Sequence, residues 1–168
     1  MNDSNVSATG DEERSVERDL PEAKLEDALG HLRWFRPEGP WTITAIYPDG
    51  GPTKTETFGP DTESDCLRYL EERTAEGMNL YWMVNPARTH LRSKAKKEDV
   101  EDLAWLHVDV DPKKMPDLSD EKKASHIAAE RARILPMLRA FKPEPTLIID
   151  SGGGFQALWR LDDPLYIG

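Results

Sequence analysis

Between Leu106 and Lys114 the sequence reads LHVDVDPKK, which sets two carboxylates, Asp109 and Asp111, two residues apart in an apolar run. On an extended chain alternate residues share a face, so both acids project from one side, roughly 7 Å apart along the strand. Like charges held that close repel unless a cation lies beside them. A hard divalent ion with oxygen ligands, Mg2+ or Mn2+, is the natural counter-charge. Carboxylates that hold such ions serve phosphoryl or nucleotidyl transfer, where attacking and leaving oxygens must be aligned and neutralised. The plainer reading is a pair of exposed acids at a strand end.

A second constellation lies in PTLIIDSGGGFQALWRL, Pro145 to Leu161. Gly152, Gly153 and Gly154 between two apolar strands make a tight turn whose backbone amides can approach an anion, and Ser151 adds a hydroxyl. Beyond the turn, Gln156 and Arg160 fall on one side of the strand and are candidates for the same open face as Asp109 and Asp111. A glycine hairpin with an ordinary polar face gives the same letters. The third is NPARTHLRSKAKK, residues 85–97, in which Arg88, Arg92, Lys94, Lys96 and Lys97 stand with no acid among them. They suit the phosphates of a template or a triphosphate, or a solvated loop. Trp105, on the face of the aspartates, is a possible stacking platform for a base. His107 reads as a sheet histidine, and His31, His90 and His126 show no partner pattern.

Composition narrows the classes that remain. A chain of 168 residues suits one folded unit. With 38% hydrophobic residues and no apolar run near the roughly 18 needed for a membrane span, no membrane partner is expected. The acidic start carries no export signal, and the single cysteine, Cys66, fits a buried residue in a reducing, cytoplasmic setting. A net charge of −10 argues against a polyanion partner, yet residues 1–30 hold nine acids against three bases and account for −6 of it.

The elements that must position these residues follow from periodicity. Residues 1–20 are polar and charged and are expected to be a disordered acidic leader, with the folded domain over 21–168. Apolar spacing predicts a helix from Glu22 to Phe35, closed by Pro37 and Gly39. WTITAIYP and TKTETFG alternate about DGGP and predict a hairpin. DTESDCLRYLEERTAEG predicts a second helix, and NLYWMVNP a buried strand. The basic loop should run into a short acidic helix near Lys97 to Leu103. Then follow the strand AWLHVDVD, with Ala104, Leu106, Val108 and Val110 facing the core, and a helix over about Asp120 to Phe141. That helix is expected to bury Ile127, Ala128, Ala132, Ile134, Leu135 and Leu138. TLIID and FQALWRL supply the last two strands. The sum is an α+β fold, with a mixed or antiparallel sheet covered by helices on one face.

An apolar Asp-x-Asp strand, a helix of about twenty residues and then DSGGGFQALWRLDDP resemble the catalytic core of the archaeo-eukaryotic primase superfamily, nearest the RepB-like primase-polymerase domains of phage and plasmid replication. MVNPARTHLRSKAKKEDV is similar to the same group. The resemblance covers about Asn79 to Pro164. It implies an RRM-like core with an N-terminal αβ module. The activity it implies is a metal-dependent DNA primase or polymerase using nucleoside triphosphates on a single-stranded DNA template, with a replicative helicase as a further partner. Asp109 and Asp111 would be the metal-binding, catalytic pair. Ser151 to Gly154, Gln156 and Arg160 would bind the nucleotide. Glutamine stands at 156 where histidine is commoner, so positive charge for the phosphates would come from Arg160 or the basic loop. The family's third acid belongs on a strand beyond Gly168, so the chain is expected to be the front part of the domain. Two other readings fit the residues: a non-catalytic nucleic-acid-binding or replication-initiator module, and an Asp-x-Asp phosphatase, although Lys113 stands where that group has threonine or valine.

Overall fold

Helix α1, Leu25–Phe35, forms where apolar residues recur every three or four positions, and it buries Leu29, Leu32 and Phe35. The structure is a computed structural model that describes residues 24–113, 115 and 117–167, so the leader expected at 1–20 lies outside the described residues. The hairpin β1, Trp41–Ile46, and β2, Lys54–Phe58, follows with the anticipated turn between them. Helix α2, Glu63–Ala75, and strand β3, Asn79–Trp82, complete a first sheet ordered β2-β1-β3, antiparallel throughout. One face of this sheet packs on both helices. Trp41, Ile43 and Phe58 meet Leu29, Leu32, Cys66 and Leu70 there. Burial in this apolar layer pushes the Cys66 thiol up to about 11, so it acts as a small packing residue.

The second sheet has the order β4-β6-β5: β4 is Asp102–Val110, β5 Leu147–Asp150 and β6 Phe155–Tyr166, antiparallel about a central β6. Helix α3, Asp120–Ala140, seats Ile134 and Leu138 on Phe155 and Ala157. The two sheets join where Phe35 stacks on Trp105, ring centroids 4.2 Å apart, above Leu158. The molecule is therefore α+β with two small antiparallel sheets and three α-helices among the described residues.

Several expectations are corrected. β3 is not a buried strand, since Asn79 and Tyr81 are exposed on one side of it. The acidic helix near Lys97 reduces to a 3-10 turn, Lys97–Asp99, because β4 begins at Asp102. In α3, Ile127 is exposed and the first half of the helix extends past the sheet, leaving its alanines uncovered. Leu106 and Val108 are 49% and 41% exposed, because α3 covers β6 and leaves β4 at the open edge. Trp105 is buried under Phe35 and has no face left for a base.

Candidate functional site

The register of the second sheet decides which side chains can meet. Asp109 stands opposite Gln156, His107 opposite Leu158, and Trp105 opposite Arg160, so these six share one face. Ile149 joins them from β5. The Trp105 end of the face is roofed by Phe35, while at the other end His107 and Asp109 are exposed. Asp111 follows the last residue of β4 and also lies exposed. Among the described residues neither carboxylate has an ion-pair or hydrogen-bond partner. Arg160 is on this face, but four residues along β6 from Gln156, roughly 13 Å away. It is on the right side of the sheet and at the wrong end.

The glycine turn meets Asp111 directly. A β-carbon built on Gly154 would lie 2.5 Å from Asp111 Oδ1 and 2.6 Å from the Val110 carbonyl, so only glycine lets the turn close onto the acid. Gly152, at φ +80°, holds a left-handed conformation that disfavours a side chain. Most of the turn's amides are already committed. Ser151 N–H donates to the Gly154 carbonyl at 3.1 Å, Gly152 N–H to Asp150 Oδ1 at 2.8 Å, and Gly154 N–H to the Ser151 hydroxyl at 3.1 Å. Among the described residues the Gly153 amide alone has no partner in the turn. The turn is a self-bonded loop held against Asp111, and an anion would meet one open amide in place of a cradle of them.

Two residues that the sequence reading did not single out hold that loop in shape. Arg131 of α3 donates to Asp150 Oδ2 at 2.5 Å and to the Gly152 carbonyl at 3.0 Å, and its guanidinium lies 4.8 Å from the centre of the Phe155 ring. The Arg131 hydrogen bond, then that of the Gly152 amide, keeps the Asp150 carboxyl below the usual aspartate range. Asp150 pairs with Phe155, on the sheet face that α3 covers, so it cannot join Asp109 as a third acid. The available signal was periodicity. Arg131 sits three and seven residues before Ile134 and Leu138, which places a cation on the helix's apolar stripe.

The basic segment is elsewhere. Arg88 Nε donates to the Val100 carbonyl at 3.2 Å, and Lys96 and Lys97 flank the turn that enters β4 at Asp102. Asp102 is seven residues from Asp109, roughly 23 Å along the strand. Arg92 and Lys94 line two grooves on the first sheet, of about 410 and 310 Å3. The structure thus brings together Asp109, Asp111, Gly154 and Gln156, and separates them from Arg160 and the five basic residues. Among the described residues no cluster of three or more His, Cys, Asp or Glu gathers as metal ligands. No helix among them is long and apolar enough to cross a membrane. No family model, curated protein or solved structure matches the chain.

Proposed function

We propose that the chain carries a metal-dependent nucleotidyl-transfer site of the primase-polymerase type on an RRM-like sheet, acting on nucleoside triphosphates along a single-stranded DNA template in phage or plasmid replication. The observation that supports it best is the register that sets Asp109 across from Gln156 while Asp111 rests on Gly154. Two unpaired carboxylates on an open face suit Mg2+ or Mn2+, which takes one or two protein carboxylates and leaves its other positions to water and phosphate. Asp109 and Asp111 would hold it, and it would supply neutralisation of the triphosphate charge. Gln156, beside Asp109, offers both a donor and an acceptor to the nucleotide. The Ser151 hydroxyl accepts from Gly154 and keeps its own proton to donate to a phosphate oxygen. The chemistry is attack of a primer 3′-hydroxyl on the α-phosphate with loss of pyrophosphate, and the protein's part is to orient and neutralise.

A second reading is favoured by one observation. The committed amides and the remote basic loop leave little positive charge near Asp109, as a non-catalytic nucleic-acid-binding or replication-initiator module would have. A single experiment separates the two: the protein with Mn2+ or Mg2+, a primed single-stranded template and labelled deoxy- or ribonucleotides. The proposal expects extension that falls about a hundredfold or more in Asp109→Asn. Template binding with no extension in the unaltered chain favours the module instead.

A further inference from the structure

The first sheet has a second face, turned away from α1 and α2. Register sets Thr42 opposite Thr57, Thr44 between Thr55 and Tyr81, and Ile46 opposite Asn79, so four threonines, a tyrosine, an isoleucine and an asparagine lie on it. The hydroxyls of Thr42 and Thr57 bond at 3.0 Å, and those of Thr44 and Thr55 at 2.9 Å. The basic segment crosses this face and is pinned to it by the Leu91 amide, which donates to Thr57 Oγ1 at 2.9 Å. Beside that crossing lies the groove of about 310 Å3, lined by Thr44, Ile46, Tyr81, Met83 and Lys94 among others.

What lines the groove identifies its occupant. Tyr81 is 51% exposed, a flat ring at the surface flanked by methyl and thioether groups. Lys94 is the groove's one charged side chain, and among the described residues it has no ion-pair partner. No acid lies in residues 85–97, while Arg92, Lys96 and Lys97 stand exposed on either side of Lys94. The 410 Å3 groove offers the contrast: Glu56, Asp65 and Glu72 line it together with Arg68, Arg92 and His90, and Arg68 is paired with Asp65 at 2.6 Å, so its charge is mixed. An aromatic platform beside Lys94, with Arg92 and Lys97 exposed near it and Lys96 4.0 Å from Glu98, is the combination that holds single strands, where bases stack and phosphates meet lysine and arginine. We infer that this groove binds single-stranded nucleic acid, with a base on Tyr81 and the backbone beside Lys94. The inference rests on the proposed function for the class of partner alone, because the groove shares no residue with the aspartate site.

The test is fluorescence anisotropy of labelled oligo-dT and oligo-U with the full chain and with Tyr81→Ala, Tyr81→Phe and Lys94→Ala, at several salt concentrations. Tyr81→Ala is expected to weaken binding about tenfold, and Tyr81→Phe to restore it, since stacking needs the ring and not the hydroxyl. Lys94→Ala should lower the slope of log affinity against log salt by about 0.7, the share of one phosphate on a single strand. Comparing oligo-dT with oligo-U tells which sugar the groove accepts. Binding that neither Tyr81→Ala nor Lys94→Ala changes, or no binding by the unaltered chain, overturns the groove. Tyr81-dependent binding without extension overturns the catalytic reading alone, and extension with Tyr81-independent binding overturns the groove alone.

Discussion

Arg131 reaches from α3 to an acid, a carbonyl and a ring of the same turn, and the turn in turn fixes the surroundings of Asp111. Asp150 is half exposed, so the ion pair itself is screened, and Arg131→Gln is expected to cost only about 1 kcal/mol of stability. Its effect on the site should be larger: extension falls about tenfold, while the Gly152 and Gly154 amide resonances shift. The sign of the pH dependence follows from the depressed Asp150 pKa. The contribution of the latch is complete above the ordinary aspartate value of about 3.9 and is lost as pH falls through the lower folded value. An NMR titration of the Gly152 amide checks this, since in Arg131→Gln its midpoint should move up toward the ordinary value. If the midpoint does not move, the latch is not what orders the turn. Alternation along β4 and the run of three glycines made the Asp109, Asp111 and Gly154 grouping legible in the sequence. Arg131 was not legible, because an arginine on an apolar stripe shows its purpose only once its partners are in space.

The elements were legible where one periodicity ruled and obscure where two strands had to agree. α1, the hairpin, α2 and most of α3 lie where spacing set them. β6 instead continues beyond Leu161 to Tyr166, and its ladder with β4 is irregular between Leu103 and Trp105, where Trp105 pairs with Arg160 but Leu103 with Leu165. Pro164 falls in that irregular stretch, where no ladder hydrogen bond is asked of it. Asn85 mends the gap from the side. Its Oδ1 accepts both the Ala104 and the Trp105 N–H at 2.9 Å, and its Nδ2 donates to the Trp105 carbonyl at 3.0 Å. One side chain thus stands in for a missing stretch of strand and ties the basic segment to β4. Removing it strands three half-buried backbone groups, so Asn85→Ala is expected to cost about 2–3 kcal/mol. That corresponds to a fall of about 5–10 °C in Tm for a chain of this size. Thermal unfolding measures the loss, and faster hydrogen exchange at Ala104 and Trp105 assigns it to this contact. An unchanged exchange rate at those two amides would refute the role.

At the scale of the whole molecule, one aromatic layer decides whether the two sheets behave as a unit. Phe35 stacks on Trp105 and meets Trp82 edge-on at 4.3 Å, and Arg36 donates to the Val84 carbonyl at 3.0 Å. The face that carries Asp109 is roofed at its far end by this same layer, and Ile149, which stands opposite Gln156, packs against it, so the site depends on the joint. His31 borders the layer, 5.1 Å from the Trp82 ring, and its Nε2 is buried without a hydrogen-bond partner among the described residues. Burial there disfavours the imidazolium, so the folded chain holds His31 neutral below the ordinary histidine value of about 6.5, at which the unfolded chain takes up a proton. Stability is therefore complete above about 6.5 and declines as pH falls toward the depressed folded value. His31→Phe keeps a ring in the layer and removes the titration. Its Tm should change less between pH 7.5 and 5.5 than that of the unaltered chain, and the difference between the two proteins cancels whatever the other three histidines contribute. Parallel curves would mean that the joint takes up the proton in another arrangement, and that His31 does not set the pH range over which the sheets hold together.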